Sequence, residues 1–300
     1  MTRYLPLTGL GWELNERLSF RTGPFAVSLV TDYPPLFDYF ALFYPDTVID
    51  PGSAIHSFHV RVQRPRGVRR WWRPQIGFYV DEGSPFEPYP LDHAFPLFEW
   101  GLNWCIAMRA HQFLMLHSAV VERGGGALLL PALPGSGKST LSAALALRGW
   151  RLLSDEFGLY DPKDRRLVPL PRAVPLKNES IALIRAFSRD ACLGPVFPKT
   201  RKGDVAHLRP PGDSLVRQAE TAAPRWIVFP RFQRGQTVEL KAIPKSEAFV
   251  RLAQNSFNYA FLRGEGFDAL THLVQSCDCF SLAFASLDEA LLALDRACTG

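Results

Sequence analysis

The chain has 300 residues, 47% of them hydrophobic, enough to bury the core of one large domain or two modest ones. Its longest apolar runs, such as GALLLPAL (126–133), fall far short of the ~20 residues that cross a bilayer, so no membrane insertion is expected. The formal net charge of +5 is too mild to argue for a nucleic-acid partner, and none is expected.

The opening, MTRYLPLTGLGWELNERL, lacks a long apolar stretch ahead of a small-residue cleavage site, and the expected location is cytoplasmic. FAVSLVT (25–31), SFHVRVQ (57–63) and QIGFYVD (75–81) are β-branched or aromatic runs between turn residues, which makes residues 1–95 a strand-rich N-terminal region. Between the last two of these runs, RVQRPRGVRRWWRPQ (61–75) mixes basic residues with Trp71 and Trp72 and reads as a solvated loop between strands. Helical spacing then predicts a buried helix from about Pro96 to His111, opening a second unit, 96–300.

SAVVE (118–122) and ALLLP (127–131) are two strands joined by RGGG, a strong hairpin signal. STLSAALALRGW is a helix with Leu141, Ala144 and Leu145 on one face and Gly149 as its C-terminal stop. RLLSDE (151–156) is a short buried strand that ends in two carboxylates. Beyond it LVPLPRAVPL is extended, SIALIRAF is a helix, and RWIVFPRF and TVELKAI are strands. SEAFVRLAQNSFNYAFL (246–262) reads as one helix, and SLDEALLALDRA as a last one opened by a capping box from Ser286 to Glu289. The five cysteines, Cys105, Cys192, Cys277, Cys279 and Cys298, form no C-x-x-C pair, and they read as reduced structural thiols.

The chemistry concentrates in ALPGSGKST (132–140), which follows the second strand and opens the helix. It fits the phosphate-loop pattern G-x-x-x-x-G-K-[ST] except that Ala132 replaces the first glycine, where alanine is acceptable if φ stays negative. Pro134, Gly135, Ser136, Gly137, Lys138, Ser139 and Thr140 are the expected nucleotide-binding residues. The glycines turn backbone N–H groups toward phosphate oxygens, and the helix presents its positive end. Lys138 supplies charge for the β- and γ-phosphates and Ser139 a hydroxyl for Mg²⁺; an empty loop is expected to leave Lys138 exposed. Asp155 and Glu156 end the following strand, beside the loop, with side chains directed to opposite sides of the extended segment. With Gly124 and Gly125 centring the hairpin, His117 lies opposite residue 132 and so at the phosphate edge.

Taken together, LHSAVVERGGGALLLPALPGSGKSTLSAALALRGWRLLSDEF resembles the catalytic core of the HPr kinase/phosphorylase superfamily, with a closer likeness to the HPr kinase-related kinase A group in KGDVAHLRPP and LAQNSFNY. The resemblance implies an α/β fold with a P-loop, HPr-kinase-like (PEP-carboxykinase-like) mixed-sheet core, and ATP and Mg²⁺ as cofactors. It makes His117 an assistant in phosphate transfer, Glu156 the general base, Asp155 the match to the family's first aspartate, and Glu179 a metal ligand beside Ser139. The family's Pro-Gly-Arg-Asn signature is absent, and Lys202 and Arg209 in KGDVAHLRPP (202–211) stand in as phosphate contacts. The expected activity is phosphorylation of a serine or similar hydroxyl on a protein or peptide by a chain that could assemble as a homo-oligomer. An ATP-binding regulatory or assembly module, or a small-molecule kinase, is the alternative for the same core.

Overall fold

Residues 17–45, 47, 55–67, 72–81, 83–133 and 135–298 are described in the computed structural model of the chain. β1 (Arg17–Thr22) and β2 (Phe25–Thr31) form a hairpin, helix α1 (Pro35–Phe43) crosses back, and β3 (Phe58–Gln63) pairs parallel with β2. β4 (Gln75–Val80) and the short β5 (Tyr89–Pro90) complete a five-stranded sheet. In β3, Phe58, Val60 and Val62 point inward while His59 and Arg61 face out, the period of two that a one-sided sheet requires. The basic stretch 61–75 spans the end of β3 and its connection to antiparallel β4, with Val68–Trp71 outside the described residues.

Helix α2 (Ala94–Arg109) covers this sheet so closely that a Cβ added at Gly101 would stand 2.2 Å from the Phe78 ring. The core between them, with Phe20, Phe40, Phe43, Phe95 and Phe98, also takes in Phe157, Leu170, Phe197 and Leu215 from later in the chain. Packing is therefore continuous across residue 95.

The remaining elements run β6 (Leu114–Arg123), β7 (Gly126–Pro131), α3 (Lys138–Leu147), β8 (Arg151–Ser154), β9 (Phe157–Asp161) and β10 (Arg166–Val168). Then come β11 (Val174–Lys177), α4 (Glu179–Phe187), β12 (Phe197–Thr200), β13 (Gly203–Leu208), α5 (Gly212–Val216) and β14 (Ala223–Phe232). The chain ends with β15 (Glu239–Ala242), α6 (Lys245–Gln254), α7 (Tyr259–Ser276), β16 (Asp278–Phe284) and α8 (Leu287–Ala297). The main sheet has the order β10-β9-β6-β7-β14-β16-β15, with β8 also on β6, and a small third sheet has the order β11-β13-β12. β7, β14 and β16 are parallel and their neighbours antiparallel, so the chain is α/β with mixed sheets. One face packs under α3 and α8, the other under α6 and α7. No helix among the described residues is long and apolar enough to cross a membrane.

Gly124 and Gly125 both adopt positive φ, +58° and +79°, as a two-residue hairpin turn of mirror-image type demands. Two expected elements differ. The strand predicted for 151–156 ends at Ser154, whose Oγ accepts the Phe157 N–H at 3.1 Å, and the chain bends at Asp155–Glu156 before β9. The single helix predicted for 246–262 is broken between α6 and α7 at residues 255–258, NSFN. Asn and Ser bond backbone groups well outside helices, and these side chains bond β6 instead. All five cysteines are free thiols, and burial pushes Cys277 up to about 12.

Candidate functional site

β7 runs straight into the loop, and its partner β6 brings His117 alongside: the Ala132 N–H donates to the His117 carbonyl at 3.4 Å. Ala132 is not among the residues with positive φ, and Gly135 and Gly137 are, both at +86°. A side chain at either glycine would strain the backbone. Nothing lies within 4 Å of where a Gly135 Cβ would be, so the loop leaves open space there. Ser136 is held through its carbonyl, which accepts the Phe232 N–H of β14 at 2.9 Å, while its buried Oγ has no partner among the described residues. Gly137 caps α3, whose N-terminal N–H groups face the loop. An orphaned hydroxyl, two left-handed glycines and a helix N-terminus together fit a phosphate group. Thr140 lies half-buried in the first turn of α3, and Pro134 is outside the described residues.

Lys138 departs from its expected exposure. It is only 7% exposed, because its ammonium donates to the Asp155 carbonyl and stands 3.7 Å from the Asp155 carboxylate. The Asp155 carboxylate accepts two further bonds: Ser139 Oγ donates to Oδ2 at 2.7 Å and Ser142 Oγ to Oδ1 at 2.6 Å. The loop serine and a strand-end aspartate thus sit in direct contact, the pair that holds Mg²⁺ in phosphate-loop proteins. Among the described residues no group of three or more His, Cys, Asp or Glu could hold a metal ion. A bound Mg²⁺ would therefore draw its other ligands from phosphates and water, as this ion commonly does.

Glu156 turns the other way, toward β6. Its Oε2 lies 3.6 Å from His117 Nε2, since Phe157 pairs with His117 and Ser154 with Val120 on either side of the bend. Burial pushes the Glu156 carboxyl up, but the close approach of His117 and the charges of Lys138, His117 and Lys202 outweigh it and hold it at about 2. Lys177 at the end of β11 belongs to the same electrostatic cluster. Burial, then the charges of Lys202 and Lys138, push its ammonium down, against the pull of Glu156 and Asp155. Asn178 fixes the two lysine-bearing ends together: its Oδ1 accepts the Asp204 N–H at 3.1 Å, and its own N–H donates to the Asp204 carbonyl at 2.9 Å. Lys177 lies in LKNES, the same stretch that contains Glu179, but its neighbours come from three separate segments of the chain.

Two expected residues are not brought to this cluster. Glu179 is 86% exposed and pairs with Arg234 Nη2 at 2.7 Å, with no contact to Ser139 or Asp155 among the described residues. Lys202 and Arg209 flank opposite ends of the extended β13, and seven residues of strand span roughly 23 Å, so one phosphate cannot touch both. Arg209 is exposed and its N–H bonds the Cys192 carbonyl. Behind the bend, a small cavity is lined by Glu99, Trp100, Asp155, Glu156, Arg172 and His207 among others. Arg172 pairs there with Glu99 at 2.7 Å, and burial, with the charge of Arg172, pushes His207 down to about 3. In comparisons with known proteins, no family model and no curated protein matches the chain.

Proposed function

We propose that the chain is an ATP- and Mg²⁺-dependent kinase that phosphorylates a serine or similar hydroxyl of a protein or peptide, in the manner of the HPr kinase-related proteins it resembles. The observation that carries this reading is the split at the bend: Asp155 faces Ser139 and Lys138, while the adjacent Glu156 faces His117. One carboxylate belongs to the metal and phosphate side, the other to the side from which an acceptor arrives.

Bound Mg²⁺ and ATP supply the transferable phosphoryl group and the neutralisation of its leaving oxygens. Ser139 and Asp155 would hold the metal, and Lys138, now on the Asp155 carbonyl, would turn to the phosphates. Glu156 takes the proton of the acceptor hydroxyl as its oxygen bonds the γ-phosphorus and the bond to the β-phosphate oxygen breaks, releasing ADP. A carboxylate near pKa 2 is a weak base, and the lysines and His117 hold it there. Each lysine that turns to a phosphate has its charge offset, so loading the loop raises the basicity of Glu156 when it is needed.

Incubation with γ-labelled ATP and cell extract tests the reading. Label should pass to one protein or peptide and be lost in Lys138→Ala; free phosphate alone would instead support an ATP-driven regulatory module.

A further inference from the structure

The NSFN segment that breaks the expected helix is bound to the strand carrying His117 by a dense set of hydrogen bonds. The His117 N–H donates to the Asn255 carbonyl at 2.8 Å, and Asn255 Nδ2 returns a bond to the His117 carbonyl at 3.2 Å. Ser256 Oγ and the Phe257 N–H both donate to the Met115 carbonyl at 2.9 Å. Asn258, buried at 2% exposure, accepts the Met115 N–H at 2.9 Å and donates to the Phe113 carbonyl at 2.8 Å. A segment fixed this firmly could have turned its one aromatic side chain inward, yet Phe257 is 49% exposed. Its ring stands edge-on to the His117 imidazole at 5.7 Å and lies 4.9 Å from Phe157, the residue after Glu156.

Sheet order decides what this ring faces. The phosphate loop leaves β7, with β6 and His117 on one side and β14 on the other, where Phe232 bonds Ser136. In-line displacement puts the attacking and leaving oxygens on opposite sides of the transferred phosphoryl group. With Glu156 and His117 on the β6 side, the acceptor hydroxyl arrives over β6 and the nucleotide extends toward β14.

Resting on the kinase reading above, we propose that Phe257 is a specificity-determining platform for the acceptor, which is a peptide segment carrying an apolar or aromatic side chain next to its reactive hydroxyl. A pre-ordered, half-exposed aromatic ring costs little conformational entropy on binding and gains most from apolar contact. The clamp of Asn255, Ser256 and Asn258 holds the ring and the imidazole in fixed relation, so the docked side chain sets the distance from the hydroxyl to Glu156.

The test uses two pools of synthetic serine-centred peptides, one flanked by Leu, Ile and Phe and the other by Asn, Gln and Thr, with γ-labelled ATP at saturation. The parent protein should label the apolar pool at least tenfold faster. In Phe257→Ala that ratio should fall toward one while ATP affinity measured by titration is unchanged, and Phe257→Leu should restore most of it. The ratio is unaffected by any general loss of rate from disturbing His117, and a melting curve confirms folding. Equal labelling of both pools by the parent protein, or a ratio unmoved in Phe257→Ala, overturns the platform and leaves the kinase reading standing. A loss of ATP affinity in Phe257→Ala places the ring on the nucleotide side and also overturns it. Absence of label in either pool and in extract, with ATP still bound, overturns the kinase reading itself.

Discussion

Lys138 is a buried cation with a buried carboxylate for a partner, so removing it has two consequences. Asp155 keeps the hydroxyl bonds of Ser139 and Ser142, which limits the cost. Lys138→Ala should lose about 1–3 kcal/mol of stability in denaturant unfolding, the scale of an orphaned buried polar group, as well as phosphate transfer. Glu156 makes a different statement, about pH. A carboxyl held near 2 in the fold against 4.5 in the unfolded chain contributes stability that is complete above about pH 5 and is lost as pH falls through 4.5 toward 2. The acid limb of a stability–pH curve should therefore be shallower in Glu156→Gln over that window. The loop residues were legible in the sequence because their chemistry is local: glycine freedom, a helix start, a lysine and a serine at fixed spacing. The burial of Lys138 and the charge on Lys177 were not, since both depend on groups that only the tertiary fold brings near. The resemblance points to Glu179 as a metal ligand, and the fold gives its carboxylate to Arg234.

Elements are legible in the sequence where one periodicity runs uninterrupted between turn residues. FAVSLVT became β2 without a residue's difference, and the Gly124–Gly125 hairpin set the register that puts His117 at Ala132. The structure departs from that periodicity where polar residues trade a regular bond for a tertiary one. The apolar spacing of 246–262 fits a helix, but Asn255, Ser256 and Asn258 gain more from the edge of β6 than from continuing it. That exchange makes Asn258 a point of high sensitivity: alanine there orphans a buried N–H of Met115 and a carbonyl of Phe113. Asn258→Ala should cost about 2–6 kcal/mol in thermal or denaturant unfolding, two such groups' worth. An effect within experimental error would mean that the segment is merely laid on the strand.

Across the described residues, the first sheet and the unit that carries the 132–140 loop share one core, tied by a buried polar knot. Glu99 of α2 accepts from Tyr44 at 2.7 Å and pairs with Arg172, beside the cavity that backs Glu156. His207 sits fully buried there among Phe43, Phe95 and Phe197. Its folded value near 3 lies below the ordinary 6.5, so the unfolded chain takes up the proton first and stability drains as pH falls from 6.5 toward 3. His207→Phe should abolish that loss, leaving the variant about 2–3 kcal/mol less sensitive than the parent to a shift from pH 7.5 to 4.5. None of this coupling between halves could be read from residue types, because it joins positions 44, 99, 172 and 207, with no local pattern among them.

In the proposed reaction two adjacent carboxylates divide the work, Asp155 on the metal and Glu156 on the acceptor proton. Paired measurements of ATP binding and single-turnover label transfer in Glu156→Gln test it most directly, because glutamine keeps the shape and cannot take the proton. Nucleotide should bind as in the parent while transfer falls ~10²–10⁴-fold, the usual contribution of general base catalysis. Transfer at the parental rate in Glu156→Gln, with Asp155→Asn keeping Mg²⁺ and ATP but losing transfer, would contradict the division.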